Sequence, residues 1–255
     1  SMGVEGLQIQ MFGLYGACST SGEALALASM SAAAGYGGTM IAVTSSHFGS
    51  AEKEFRFPLG YANQRPLSSH WTVTGSGAFL VQSAEEYRKQ NTKSYFSNIR
   101  ITGVTVGKIV DYGLKDSQNM GACMAPAAMD TIVQNFQDME RKEKDYDRII
   151  TGDLGSIGRT ILFDLIREKG YDICEKHMDC GMTIFDKERQ DTHAGGSGCG
   201  CAAVTLASYV LPKLEKGEWK RVLFVPTGAL MSTVSFNDGA SVPGIAHGIV
   251  LESDA

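Results

Sequence analysis

Phe12-Gly13-Leu14-Tyr15-Gly16-Ala17-Cys18-Ser19-Thr20-Ser21-Gly22-Glu23 is the stretch from which the fold is read. A short apolar run, Ile9 to Leu14, stops at glycine and reaches a single cysteine. A helix is predicted to start there, with Ser19, Thr20 or Ser21 as N-cap hydroxyls and Glu23 near the first turn. This places the Cys18 thiol at the positive end of a helix, where N–H groups and the macrodipole favour a thiolate or a bound anion. Residues 19–34 are small or apolar on every side, which predicts a buried helix ended by Gly35, Gly37 and Gly38. Met40-Ile41-Ala42-Val43-Thr44 then reads as a fully buried strand, completing a strand–helix–strand unit of a parallel sheet.

The theme recurs. His193-Ala194-Gly195-Gly196-Ser197-Gly198-Cys199 leads into a second small-residue helix, Ala202 to Leu214, and a second apolar strand, Val222 to Val225. Cysteine and strand-ending threonine are 26 residues apart in the first copy (Cys18, Thr44) and 28 in the second (Cys199, Thr227). A fixed-order repeat of a β-α-β unit implies two similar halves. Between them the pattern predicts strands over Trp71–Gln82 and Ile99–Val110, the latter two closing a first sheet as an antiparallel pair. A helix from Asn119 to about Met139, a strand over Asp147–Thr151, a helix over Thr160–Lys169 and a strand over Met182–Phe185 follow. Ile245 to Leu251 is the closing strand. The polar connection from Ser45 to His70 is long enough to suggest a functional loop.

Bulk properties exclude several classes. A net charge of -5 argues against a nucleic-acid binder. No apolar run reaches the roughly 18 residues of a membrane span, and no signal-peptide pattern is seen. Six cysteines in 255 residues do not read as a disulfide framework. Cys174, Cys180, Cys199 and Cys201 have the count of a zinc site, but their spacings miss the usual ones.

A cysteine at a strand-to-helix turn in a duplicated α/β chain resembles the thiolase and ketoacyl-synthase fold. The closer likeness is to the stage V sporulation protein AD family. It is carried by residues 12–21 (FGLYGACSTS), Thr44-Ser45-Ser46-His47, Phe55-Arg56-Phe57-Pro58, residues 72–78 (TVTGSGA), Met124-Ala125-Pro126-Ala127-Ala128, Thr151-Gly152-Asp153-Leu154, residues 177–181, His193 to Gly198 (HAGGSG) and Ile245-Ala246-His247-Gly248. The resemblance implies an α/β, thiolase-like fold of two similar halves in a layered α-β-α-β-α architecture, with residues 1–112 the remainder of the first half and 113–255 the second. Family chains carry two further β-α units upstream of the cysteine, so the first half is expected to be incomplete at its N-terminus.

The same resemblance sets the functional expectation. A thiolase-type enzyme needs a cysteine nucleophile, two imidazoles (or an imidazole and an amide) and an oxyanion hole. Cys18 fills the first position and His193 resembles one imidazole, but Asp153 stands where the other is expected and the closing glycine loop is replaced by residues 245–248. The expectation is therefore a non-enzymatic binder of dipicolinic acid, with an acyltransferase using Cys18 and His193 as the alternative. Cys18, His47, Arg56, Asp153, His193 and His247 are the candidate ligand-binding residues. Arg65 and His70 are further candidates for a carboxylate, and Tyr15, Phe48 or Phe57 for the ring. No metal or cofactor is expected, although calcium arriving with the ligand would find oxygen at Asp153 or Asp179. The resemblance further implies a homodimer in the developing spore, peripheral at the spore inner membrane with membrane-embedded stage V partner proteins, and without nucleic acid.

Overall fold

A computed structural model of the chain describes residues 2–55, 65–89 and 98–254. Eleven strands are found among them. They are β1 (Thr39–Ser46), β2 (His70–Thr72), β3 (Gly75–Gln82), β4 (Ile99–Thr105), β5 (Arg148–Thr151), β6 (His177–Asp179), β7 (Gly195–Ser197), β8 (Arg221–Val225), β9 (Thr227–Ala229), β10 (Gly244–Ala246) and β11 (Gly248–Ser253). The helices are α1 (Thr20–Ala33), α2 (Phe48–Phe55), α3 (Ala84–Lys89), α4 (Met120–Asp138), α5 (Gly155–Glu168), α6 (Cys180–Thr183), α7 (Cys199–Thr205), α8 (Leu211–Glu215) and α9 (Thr233–Asn237). One π-helical turn, Leu206–Val210, joins α7 to α8.

The central sheet has the order β4-β11-β8-β5-β6, parallel across β8-β5-β6 and antiparallel at β4-β11 and β11-β8. Strands β5, β8 and β11 are apolar without alternation because both of their faces are buried. Ile149, Leu223 and Val250 pack on one side with Met124, Ile132 and Phe136 of α4 and Leu162 and Ile166 of α5. Ile150, Phe224 and Ile249 pack on the other with Leu25 and Ala28 of α1 and Cys201 of α7. Beyond α1 and α7 lies a two-stranded antiparallel ribbon, β1 with β3. The order of layers is helix, sheet, helix, ribbon.

Several expectations are corrected here. Residues 9–14 form no strand; Ile9, Met11 and Phe12 are exposed, and apolar character without a pairing partner does not make one. Strand β1 is buried on one face only, with Ile41 and Val43 outward, and it pairs β3 antiparallel rather than entering a parallel sheet. The predicted strand over 71–82 is two strands, because β2 leaves the ribbon to pair in parallel with β7. Strand β4 does not close the first sheet; it lies on β11 of the central one. Residues 182–185 are not a strand, since the Asp179 side chain accepts from the Met182 N–H and starts α6 instead. Helix α5 begins at Gly155, five residues before its expected start.

Helices α4 and α5 meet backbone to backbone where Gly121 faces Gly158. A Cβ on Gly158 would lie 2.7 Å from the Gly121 carbonyl oxygen and 2.8 Å from its Cα. Backbone cannot yield as a flexible side chain does, so Gly158→Ala is expected to cost about 1–3 kcal/mol of folding stability. Urea denaturation checks this: the midpoint should fall with no change in slope, and an unchanged midpoint would mean that the helices separate freely.

Candidate functional site

The Cys18 turn is held from three directions. Ala17 takes a φ of +50°, a left-handed conformation uncommon for a residue with a side chain. The hydroxyls expected to cap α1 fold the turn onto itself instead. Ser19 Oγ donates to the Gly16 carbonyl at 2.6 Å, and Thr20 Oγ1 donates to the Ala17 carbonyl at 2.7 Å while accepting from the Gly16 N–H at 3.0 Å. Strand β9 presses its backbone on this turn at Gly228, where a Cβ would lie 2.3 Å from the Gly16 carbonyl oxygen and 3.2 Å from the Cys18 nitrogen. Only glycine fits there.

Opposite the turn is Asp153, almost fully buried in the loop between β5 and α5. Its Oδ1 accepts from Thr227 Oγ1 at 2.8 Å and its Oδ2 from the Gly198 N–H at 3.1 Å. The Cys18 sulfur lies 3.7 Å from Ser197 Oγ and close enough to this carboxyl for the Asp153 charge to act on it. Burial pushes Asp153 up to about 6, against the lowering effect of the Gly198 N–H and the Thr227 hydroxyl. Burial and the Asp153 charge push the Cys18 thiol well above its ordinary value. That is the reverse of what a thiolate nucleophile needs. Among the described residues the thiol's hydrogen-bond partner is the Ser197 hydroxyl and not an imidazole.

The structure thus brings Cys18 and Asp153 together with Ser197 and Thr227, and gives the side chains of the other described candidates partners of their own. His193 Nδ1 lies 2.9 Å from the Pro66 carbonyl oxygen and its Nε2 3.1 Å from Asp191, in a cluster where Arg65 stacks on Trp71 and bonds Asp191. His247 Nδ1 accepts from the Gly107 N–H at 3.2 Å, which directs the ring toward the segment after β4. His47 is exposed, its Nδ1 accepting from the Gly49 N–H at 3.1 Å. His70 is buried with Nε2 3.2 Å from the Leu154 carbonyl oxygen. Arg56 and Phe57 lie outside the described residues. Asp179 serves the backbone: its carboxylate accepts from Thr151 Oγ1 and from the N–H groups of Leu154, Gly155 and Met182. With four donors engaged, it has little capacity left for a cation. Among the described residues no group of three or more metal-ligating side chains converges.

Two members of the cluster were not singled out from the sequence. Ser197 carries no signal beyond its place in the glycine-rich second turn. Thr227 was visible only as the threonine that ends the repeat, and that position is what delivers its hydroxyl to Asp153.

The raised Asp153 value has a definite sign for stability. The folded protein holds this proton more tightly than the unfolded chain, so the contribution is full below pH 4 and is lost as pH rises through 6. Relative to native protein, Asp153→Asn should therefore gain about 2 kcal/mol between pH 4 and pH 7. Denaturation of both at a series of pH values tests this, and a difference that does not vary with pH would refute it.

A family model described as Stage V sporulation protein AD matches residues 1–252. The Stage V sporulation protein AD of Bacillus subtilis (strain 168) is 43% identical over 246 residues, which make up 96% of this chain and 69% of that protein. In backbone the chain is similar to a tetronic acid condensing enzyme, with a TM-score of 0.57 and 13% identity over 94% of this chain and 67% of that one. It is similar also to the 3-oxoacyl-[acyl-carrier-protein] synthase III of Aquifex aeolicus VF5, with a TM-score of 0.54 and 11% identity over 98% of this chain and 70% of the other. At these identities the structural likeness shows the fold alone. Among the described residues no helix is long and apolar enough to cross a membrane. On a thiolase-like fold, then, the chain belongs to the Stage V sporulation protein AD family, a family of sporulation proteins.

Proposed function

We propose that this chain binds dipicolinic acid, as the free dianion or its calcium chelate, for uptake into the developing spore, and that it catalyses no reaction on it. The observation that carries the reading is the state of Cys18. Its thiol lies beside a buried carboxyl whose charge helps push it up rather than down, and among the described residues its hydrogen-bond partner is the Ser197 hydroxyl rather than an imidazole. An acyl-transfer site requires the opposite on each count. As the floor of a binding pocket the same turn is well suited: the thiol and the Ser197 hydroxyl are weak donors beside the start of α1, whose peptide dipoles favour an anion. On this reading the chain is handed its ligand at a membrane by embedded partner proteins and works as a pair.

Asp153 makes the reading pH-sensitive. An arriving dianion favours the neutral carboxylic acid, so affinity for free dipicolinate should rise as pH falls through about 6. The calcium chelate should show the reverse, because the metal prefers the carboxylate. Thermal shift with dipicolinate, with and without calcium, against acetyl-CoA and acetoacetyl-CoA is the decisive comparison. A ligand at 100 times its dissociation constant adds about 2.7 kcal/mol to stability. Dipicolinate should raise the melting temperature, and Cys18→Ala should reduce that rise. Stabilisation by an acyl-CoA with none by dipicolinate would favour an acyltransferase and end this reading.

A further inference from the structure

A second cavity, of about 350 Å³, opens beside β6 and shares no lining residue with the Cys18 cluster. Arg148, Arg159, His177, Tyr209 and Trp219 line it, and its one carboxylate, Asp179, is taken up by the four donors described above. Neither arginine makes an ion pair among the described residues. The Arg148 guanidinium stands over the Trp219 ring, 5.5 Å from its centroid, and Arg159 stands over Phe163 at 5.1 Å. Arg148 Nη1 donates to the Asp147 carbonyl at 2.8 Å, and the remaining donors of the two guanidiniums outnumber the one carboxylate and favour an anion, their planar forks matching a carboxylate.

The hydrogen-bond bookkeeping adds a second requirement. Thr151 Oγ1 gives its one proton to Asp179 Oδ2 at 2.6 Å, so it must accept from His177 Nε2 at 2.9 Å. Burial and Arg159 hold His177 down at about 3, so the ring carries only that proton. Its Nδ1 is then a bare lone pair, buried and without a partner, as the Arg159 Nε–H is a buried donor without one. A buried acceptor and donor left unmade each cost free energy that a ligand can recover. The aromatic wall is also placed by an irregularity: the π-helical turn at Leu206–Val210 carries Tyr209 outward, its ring edge-on to Trp219 with centroids 5.9 Å apart. Such turns recur at functional sites.

We infer that this cavity is a binding site for a small aromatic acid that carries a hydroxyl or N–H donor: the carboxylate meets Arg148 and Arg159, the ring lies against Trp219 and Tyr209, and the donor reaches His177 Nδ1. The volume is in the range of small-molecule sites. Dipicolinate at neutral pH has no such donor, so the site is independent of the function proposed above.

Isothermal titration of the whole protein with 3-hydroxybenzoate tests it. Saturable binding is expected. It should weaken at least tenfold with 3-methoxybenzoate, which has lost the donor, and with 3-hydroxybenzamide, which has lost the charge. Arg159→Gln and Trp219→Leu should each weaken it at least tenfold, with circular dichroism confirming that the variants are folded, while Cys18→Ala leaves it unchanged. No saturable heat at millimolar 3-hydroxybenzoate would overturn the inference, as would binding indifferent to Arg159→Gln or to the methoxy exchange. Loss of binding in Cys18→Ala would place the probe in the other pocket and overturn it as well.

Discussion

One buried carboxyl ties the architecture together. Asp153 sits beyond the end of β5 and receives Thr227 Oγ1 from β9 and the Gly198 N–H from the start of α7, while its charge acts on the Cys18 thiol in the turn before α1. A hydroxyl and an amide thus converge, beside the thiol, on one acceptor whose desolvation alone would be costly. If any donor is withdrawn, the carboxyl becomes harder to ionise and the remaining segments lose a shared anchor. The carboxyl ties the loop after β5 to β9 and to the start of α7.

The second organising constraint is close approach of backbones. Gly228 lies on the Cys18 turn, Gly121 on Gly158, and Gly198 reaches φ +108° at the start of α7, where a Cβ would strike Ser46 Oγ. Small residues bring these segments within reach of Asp153, and larger ones would move the thiol away from it.

The sequence made much of this legible, and the boundary of legibility is physical. Helices α1, α4 and the first part of the α7 region were readable because small or periodic apolar residues mark faces that must be buried. Strands β5 and β8 were readable because both of their faces are buried. Pairing was not readable, since nothing local in residues 70–72 says that β2 joins β7 or that β4 joins β11. The same holds at the site. Cys18 could be named because it follows an apolar run at a helix start, and Asp153 because it lies in the loop after an apolar strand. The histidines could not be placed because an imidazole has no periodicity: His193 went to Asp191, and His247 to the amide of Gly107. His177, which organises the second cavity, is defined by a lone pair whose orientation only the surrounding hydrogen bonds determine.

The turn at Cys18 also has a consequence for how the chain is made. Its partners lie far along the chain, Ser197 being 179 residues away and Thr227 farther still. Synthesis at about 5–20 residues per second leaves roughly 10–40 s between the emergence of the cysteine and that of the last of them. Through that interval the thiol has neither its carboxyl partner nor its covering strand, and it titrates as an ordinary exposed cysteine. The nascent chain therefore exposes this thiol to oxidation until the C-terminal segments arrive to enclose it.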